Sequence, residues 1–538
     1  MKKFQGFVLV GCSALALAGC GPSDIASPGT GGNVTINYPT SGGTTGGSNG
    51  GGGTVTAAAG CPTISDPQGL TDAGTITGPT GTWRVCQLPR TIKVSTTLPK
   101  VPGLLYSMNG RVDVGCDGGF AAPTAAAPYT STTVNCTSAA LTADTKVTLT
   151  IQPGVILFGN TGQSWLAVNR GNKIEAVGTA SAPIIFTSRD NVLGLNDDTS
   201  QGQWGGVVLL GRAPVTDCNV GTVAGNTCER DTEGAADLAR FGGANPADSS
   251  GRMSYVQIRF SGFALSAGKE LQALTTEAIG SGTILDHIQS HNSSDDGAEF
   301  FGGVVKLKHY VATGADDDSL DVDTGAQMDL QYAMLLPRAT KGDALLEIDS
   351  NSNETDTPRT RLRISNLLAI QPQTSADNEA NALAAMLFRG NSDTTMMNSI
   401  ILAPNNECLR INGSGSTSTR ATFSARSVVM QCNSTKYLGS GSGTAAYTAS
   451  DVQTLFGSGA NNNNDAFTPT LASLFVNGTN ENGVTAFDAS TVDAWFTRTT
   501  YIGAVQSSSD TWWSGWTCSS AAANFGSAST SCASLPTT

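Results

Sequence analysis

The sequence predicts an all-β chain: a right-handed, single-stranded parallel β-helix (a solenoid) with a small disulfide-bearing N-terminal region and a C-terminal cap. Two observations carry that expectation. Between about Val147 and Met430, short runs of alternating apolar residues recur between Gly and Asn punctuation, each too short for a helix. Within that stretch, residues 291–300 (HNSSDDGAEF) match residues 313–322 (TGADDDSLDV) at an offset of 22. A unit of that length is one solenoid turn, which buries its inward side chains only when neighbouring turns stack on it. Composition narrows the function. The 538 residues include 43 acidic and 30 basic side chains, a formal charge of −13, which excludes a nucleic-acid binder working through a basic surface.

The chain opens with Lys2 and Lys3, an apolar run from Phe7 to Leu17, and Leu17-Ala18-Gly19-Cys20. This order resembles a bacterial lipobox, so residues 1–19 are expected to be a lipoprotein signal peptide and Cys20 the lipidated first residue. Gly21 stands where Asp would favour inner-membrane retention, so an outer-membrane lipid anchor, surface display or release follows from the resemblance. Residues 20–60, rich in Gly, Ser and Thr, read as a flexible tether with a reach of roughly 35 Å.

Ten cysteines remain after Cys12 and Cys20: Cys61, Cys86, Cys116, Cys136, Cys218, Cys228, Cys408, Cys432, Cys518 and Cys532. The sequence does not fix their connectivity. Short gaps within successive couples nevertheless favour five local disulfides in an oxidising compartment. Zinc is disfavoured by the absence of Cys-x-x-Cys and by only three His.

Residues 61–140 form the expected N-terminal disulfide-bearing region, 141–440 the β-helix and 441–538 the cap. About thirteen coils would fill 141–440, a stack roughly 60 Å long. In the cap, Ser450–Phe456 and Ala489–Phe496 read as short helices. Trp512, Trp513 and Trp516 belong to the covering of the last coil or, alternatively, to a platform for stacking sugars.

The repeat concentrates charge. From Asp286 to Asp356 there are 15 acidic residues and four basic ones, Lys306, Lys308, Arg338 and Lys341. In register, Asp295 falls on Asp317, Asp296 on Asp318, and Glu299 on Asp321. One extra residue in a third copy puts Glu347 beneath Asp321 and Asp349 beneath Asp323. Like charges about 4.8 Å apart repel by roughly 3.5 kcal/mol at an effective dielectric of 20. Raised carboxylate pKa values, bound cations or side chains splayed into water would each relieve this. The oxygen-rich set, with Asn292 and Ser294 nearby, suits Ca2+ held by Asp295, Asp296, Glu299, Asp317, Asp318, Asp321, Asp323, Glu347 and Asp349. Solvated turn residues and a catalytic carboxylate pair are the alternatives. His287 and His309 fall on one another and read as structural.

Several motifs resemble a family of bacterial cell-surface β-helix lipoproteins whose fold is that of pectate lyases. They are Ile151-Gln152-Pro153-Gly154-Val155, Trp204-Gly205-Gly206, Asp295-Asp296-Gly297 with Glu299-Phe300-Phe301-Gly302-Gly303, Tyr501-Ile502-Gly503 and Trp513-Ser514-Gly515-Trp516. The resemblance spans roughly residues 140–520 and implies little about activity. Asp295-Asp296-Gly297 also resembles the paired aspartates of β-helix polygalacturonases, which would make Asp295, Asp296 and Asp318, with His291, the speculative catalytic set. Gly-His-Gly and Arg-x-Lys signatures are absent and no basic residue is obviously paired with the ladder, so the enzyme reading is left open and not favoured. The expected function is a Ca2+-stabilised binding or accessory module for an extracellular glycan or an outer-membrane nutrient-uptake protein. A Ca2+-dependent polysaccharide lyase or glycoside hydrolase, and an adhesive spacer, are the rivals.

Overall fold

In the computed structural model, residues 54–537 are described apart from 267–268, 340, 375–377 and 379–382. The signal segment, Cys20 and the tether up to residue 53 lie outside the described residues. Two long sheets dominate the rest: one of fifteen strands and one of eleven. Successive coils contribute one strand to the second sheet and one or two to the first, and the pairing is parallel nearly throughout. This is the parallel β-helix that the repeat predicts.

Register explains why the repeat is legible. Leu285 pairs with Leu307 and Glu299 with Asp321, both at the offset of 22, while Asp321 pairs with Glu347 at an offset of 26, so the third turn is four residues longer and not one. Inward positions form continuous apolar ladders. Ala176, Met253, Leu285, Leu307, Leu330, Ile364, Met396 and Ala425 stack in the first sheet, and all are buried. Phe300, Val322, Ile348, Phe388 and Ile411 do the same in the second. Each such side chain contributes roughly 1.5–3 kcal/mol on burial, and only in the presence of the coils above and below it.

The coil boundaries differ from expectation. Strands Leu104–Met108 and Arg111–Val114 already belong to the two sheets, so stacking begins well before residue 141. The excursion between them and the next coil, pinned by Cys116–Cys136, interrupts the periodicity that would have revealed this. Within 141–440 the second sheet gains nine strands, not thirteen, because insertions such as 211–250 lengthen individual coils. All five disulfides join the successive cysteine couples, Cys61–Cys86, Cys116–Cys136, Cys218–Cys228, Cys408–Cys432 and Cys518–Cys532.

At one corner of the coil the long strands of the first sheet bend through residues in the left-handed region: Tyr255, His287, His309, Tyr332, Asn366, Asn398 and Ser427, with φ between 49° and 64°. The pairing on either side skips one position at each, or two between Asn366 and Asn398, so they form a single column. Such backbone is unfavourable for bulky side chains and persists only where surroundings fix it. Here the rings stack on one another: Tyr255 on His287 at 4.2 Å, His287 on His309 at 4.0 Å and His309 on Tyr332 at 5.0 Å. Asp286 accepts a hydrogen bond from Nδ1 of both imidazoles, at 2.8 and 2.7 Å, consistent with a structural role for His287 and His309.

The C-terminal region does more than cap. Helix Ala449–Phe456 closes the last coil, with Val452 and Phe456 in the main core and Thr448 and Asp451 forming a capping box. Beyond Asn464 the chain turns back along the first sheet as a strap. Asn398 exchanges hydrogen bonds with the backbone of Phe487, and Asn366 donates to the carbonyls of Tyr501 and Gly503. Gln289 clasps the backbone of Cys518, and Arg259 donates to the carbonyls of Cys532 and Ser534. The second expected helix is only a short 3-10 turn, Ala489–Thr491, and the residues after it bond to the first sheet, Arg363 to the Val492 carbonyl and Asp493, and Gln331 to the Thr497 backbone. Trp516 is fully buried, and Trp512 and Trp513 pack into the same cluster as Phe475 and Phe525, so the tryptophans are not an exposed sugar platform.

Candidate cation pocket

On the opposite side, the outer face of the second sheet carries the acidic ladder. Alternation places it there: Ala298 and Phe300 point into the core and Glu299 outward, while Val322 is inward between outward Asp321 and Asp323. Leu346 and Ile348 likewise flank outward Glu347. The turns before these strands bring Asp295, Asp296, Asp317 and Asp318 alongside. At Gly297 a Cβ would lie 2.6 Å from the Ser319 carbonyl oxygen and 2.8 Å from the Tyr310 hydroxyl, so the tight stacking of this turn on the next admits only glycine.

Amides of successive coils hold the aspartates. Asp296 Oδ1 accepts from the Asp318 amide at 3.0 Å, and Asp318 Oδ1 from the Ala344 amide at 2.7 Å. Together these side chains line a pocket of about 300 Å³. Seven of the nine expected ligands lie in it: Asp295, Asp296, Glu299, Asp317, Asp318, Asp321 and Glu347. Asp323 and Asp349 stand in the adjacent outward column and do not line it.

The remaining lining was not anticipated. Asp343 comes from the third copy, two residues before the shared motif resumes. Glu233 comes from the insertion after the strand Gly206–Leu210, Glu270 from a hairpin that precedes the repeat, and Gln272 from the link between it and the strand Leu274–Glu277. Repeat logic cannot see insertions. Arg389 also lines the pocket, with its guanidinium on Glu347 and 2.7 Å from Asp349. The sequence pairs no basic residue with the ladder, because the long stretch between the two strands puts Arg389 forty positions from Asp349 although the strands are neighbours. A strand-register search that allowed long insertions would have found it.

His291 is not part of the site. It is buried, 2.9 Å from Thr313 Oγ1 and edge-on to Phe260, and burial with Arg259 and Arg338 nearby holds its pKa down to about 3. Asn292 and Ser294 are likewise turned away, bonded to the carbonyls of Asp198 and Gly262.

Electrostatics in the pocket is dominated by burial. Burial, reinforced by neighbouring carboxylates, raises Asp296, Glu299, Asp318 and Asp321 well above the ordinary carboxylate range and Asp295 to about 7. Beside it, burial brings Asp323 to about 7 and Asp349 to about 6. Oδ1 of Asp321 is inaccessible and has no hydrogen-bond partner. Glu299 is 8% exposed and makes no hydrogen bond among the described residues. Three groups have ligand oxygens within 4.8 Å of one another: Asp295, Asp296 and Asp317; Asp296, Glu299 and Asp321; Asp317, Asp318 and Asp343. An oxygen-only donor set with orphaned acceptors fits a hard divalent cation and not a soft one.

Residues 129–517 match a family model described as a pectate-lyase-like β-helix domain. No curated protein and no solved structure matches the chain.

Proposed function

The chain belongs to the pectate-lyase-like β-helix domain family, and from that membership we propose that it is an exported module that takes Ca2+ into the acidic pocket and binds an extracellular glycan there. The observation that carries this reading is the convergence of ten carboxylates and a single guanidinium on one pocket. Bound Ca2+ would neutralise those charges and offer coordination to oxygens of a polysaccharide. The protein's own part is to hold the carboxylates in place through the amides of the next coil. Five disulfides agree with an oxidising compartment outside the cytoplasm, where Cys20 would supply a lipid anchor to the outer membrane and an uptake protein would be a natural second partner.

A lyase or hydrolase is the second reading, favoured by Arg389 beside Glu347 and Asp349 and by carboxylates of differing pKa. A polysaccharide array probed with and without Ca2+, run beside reducing-end and unsaturated-product assays, separates the two. Retention that disappears in chelator without product formation supports the binding module. Turnover abolished by Asp296→Asn makes it an enzyme, and glycan binding unaffected by chelator overturns the Ca2+ role.

A further inference from the structure

We propose that the pocket holds at least two divalent cations per chain, joined by Asp296 and Asp317 as bridging carboxylates. The proposal rests on the cation reading above and goes beyond it in number and arrangement. Asp296 belongs to two of the three oxygen groups, with Asp295 and Asp317 and again with Glu299 and Asp321. Asp317 belongs to two, the first of these and the one with Asp318 and Asp343. A carboxylate has two oxygens and can give one to each of two ions. Across a Ca2+ ion, opposite ligand oxygens are separated by roughly twice the metal–oxygen distance of about 2.3–2.6 Å, so separations within 4.8 Å suit one ion per group.

Two independent features point to ligands and not to solvated acids. Glu299 is 8% exposed, lines the pocket and makes no hydrogen bond among the described residues. Its group partner Asp321 has an inaccessible oxygen with no donor. Charge argues for more than one ion. Once cations ionise the pocket, ten lining carboxylates face only Arg389, already engaged by Glu347 and Asp349, and the cations Lys269 and Arg230 beside Glu233. One divalent ion would leave most of that charge uncompensated in a half-closed pocket. The coil repeat supplies the arrangement, since two successive turns present the same pair of aspartates one strand spacing apart and the third adds Asp343.

Isothermal titration of the full chain, stripped of metal by chelator, with Ca2+ counts the ions, and Tb3+ luminescence checks the count. Two or more ions per chain, falling by at least one in Asp317→Asn, is the expected result. Asp323→Asn, a carboxylate outside the three groups, should leave the number unchanged and controls for a general loss of charge. One ion per chain in the parent, or an undiminished count in a folded Asp317→Asn, overturns the bridged arrangement and leaves the single-cation reading standing. No binding at all overturns both.

Discussion

The two outer faces of the same coils were given the same device and ended differently. On the first sheet, a column of polar and aromatic residues at the left-handed corner, His287, His309, Asn366, Asn398 and Ser427, stacks one per coil. On the second sheet a column of carboxylates does the same. The first column is satisfied from within the chain: the strap's backbone accepts from Asn366, Asn398 and Ser427, and Asp286 bridges the two histidines. The second keeps orphaned acceptors at Asp321 and an unbonded Glu299. Solenoid stacking multiplies whatever a turn carries, so a polar ladder needs either a strap or a ligand.

Removing the strap's anchor tests that contrast most severely. Trp516→Ala is expected to cost about 3–5 kcal/mol, read as a lower midpoint in denaturant melts, while the number of Ca2+ bound by folded protein stays the same. A Ca2+ count that falls with it would mean the two faces are not independent.

pH acts chiefly on the acidic face, while His291 on the first sheet, held at about 3, works the other way, its contribution being lost as pH falls below 6.5. Asp295 and Asp323 titrate at about 7 and Asp349 at about 6 in the folded chain against 3.8 unfolded. Between those values the folded state holds the extra protons, so their contribution is complete below pH 3.8 and is lost as pH rises through 6 to 7. In chelator, stability should therefore drop from pH 5 to pH 8 by several kcal/mol, at about 1.4 kcal/mol per group for each pH unit below its folded pKa, and millimolar Ca2+ should flatten the slope. A chelated protein equally stable at both values would remove the buried-carboxylate account.

Smaller effects have opposite signs on the two faces. Asn398→Ala loses its exchange of hydrogen bonds with Phe487, at 2.9 and 2.7 Å, and should destabilise by about 1–3 kcal/mol. Asp318→Asn keeps an oxygen for the Ala344 amide while removing an acid whose ionisation burial opposes, so at pH 8 in chelator it should raise stability by about 1 kcal/mol and weaken the response to Ca2+. Destabilisation in chelator would show that the ladder is not under repulsion.

How much could be read in advance depends on distance along the chain. Glu299 over Asp321, and Asp321 over Glu347, followed from the repeat because one turn separates them and alternation fixes which side they face. Asp343, Glu270 and Arg389 did not, since insertions break the period while leaving the strands adjacent. His291 was placed beside the acids by its position in the motif. It ends the strand Ile284–His291 and is buried against Phe260 and Thr313 on the first sheet.

By itself the sequence determined the solenoid, its inward ladders and the acidic repeat, because all rest on short periods in which each residue's partner is one turn away. Tertiary structure alone decided where stacking begins, that the C-terminal region returns as a strap, and that ten carboxylates and one arginine share a pocket. Those outcomes depend on contacts between segments tens to hundreds of residues apart. No local period encodes them, and they are fixed only when the coils stack and leave one polar column covered and the other open.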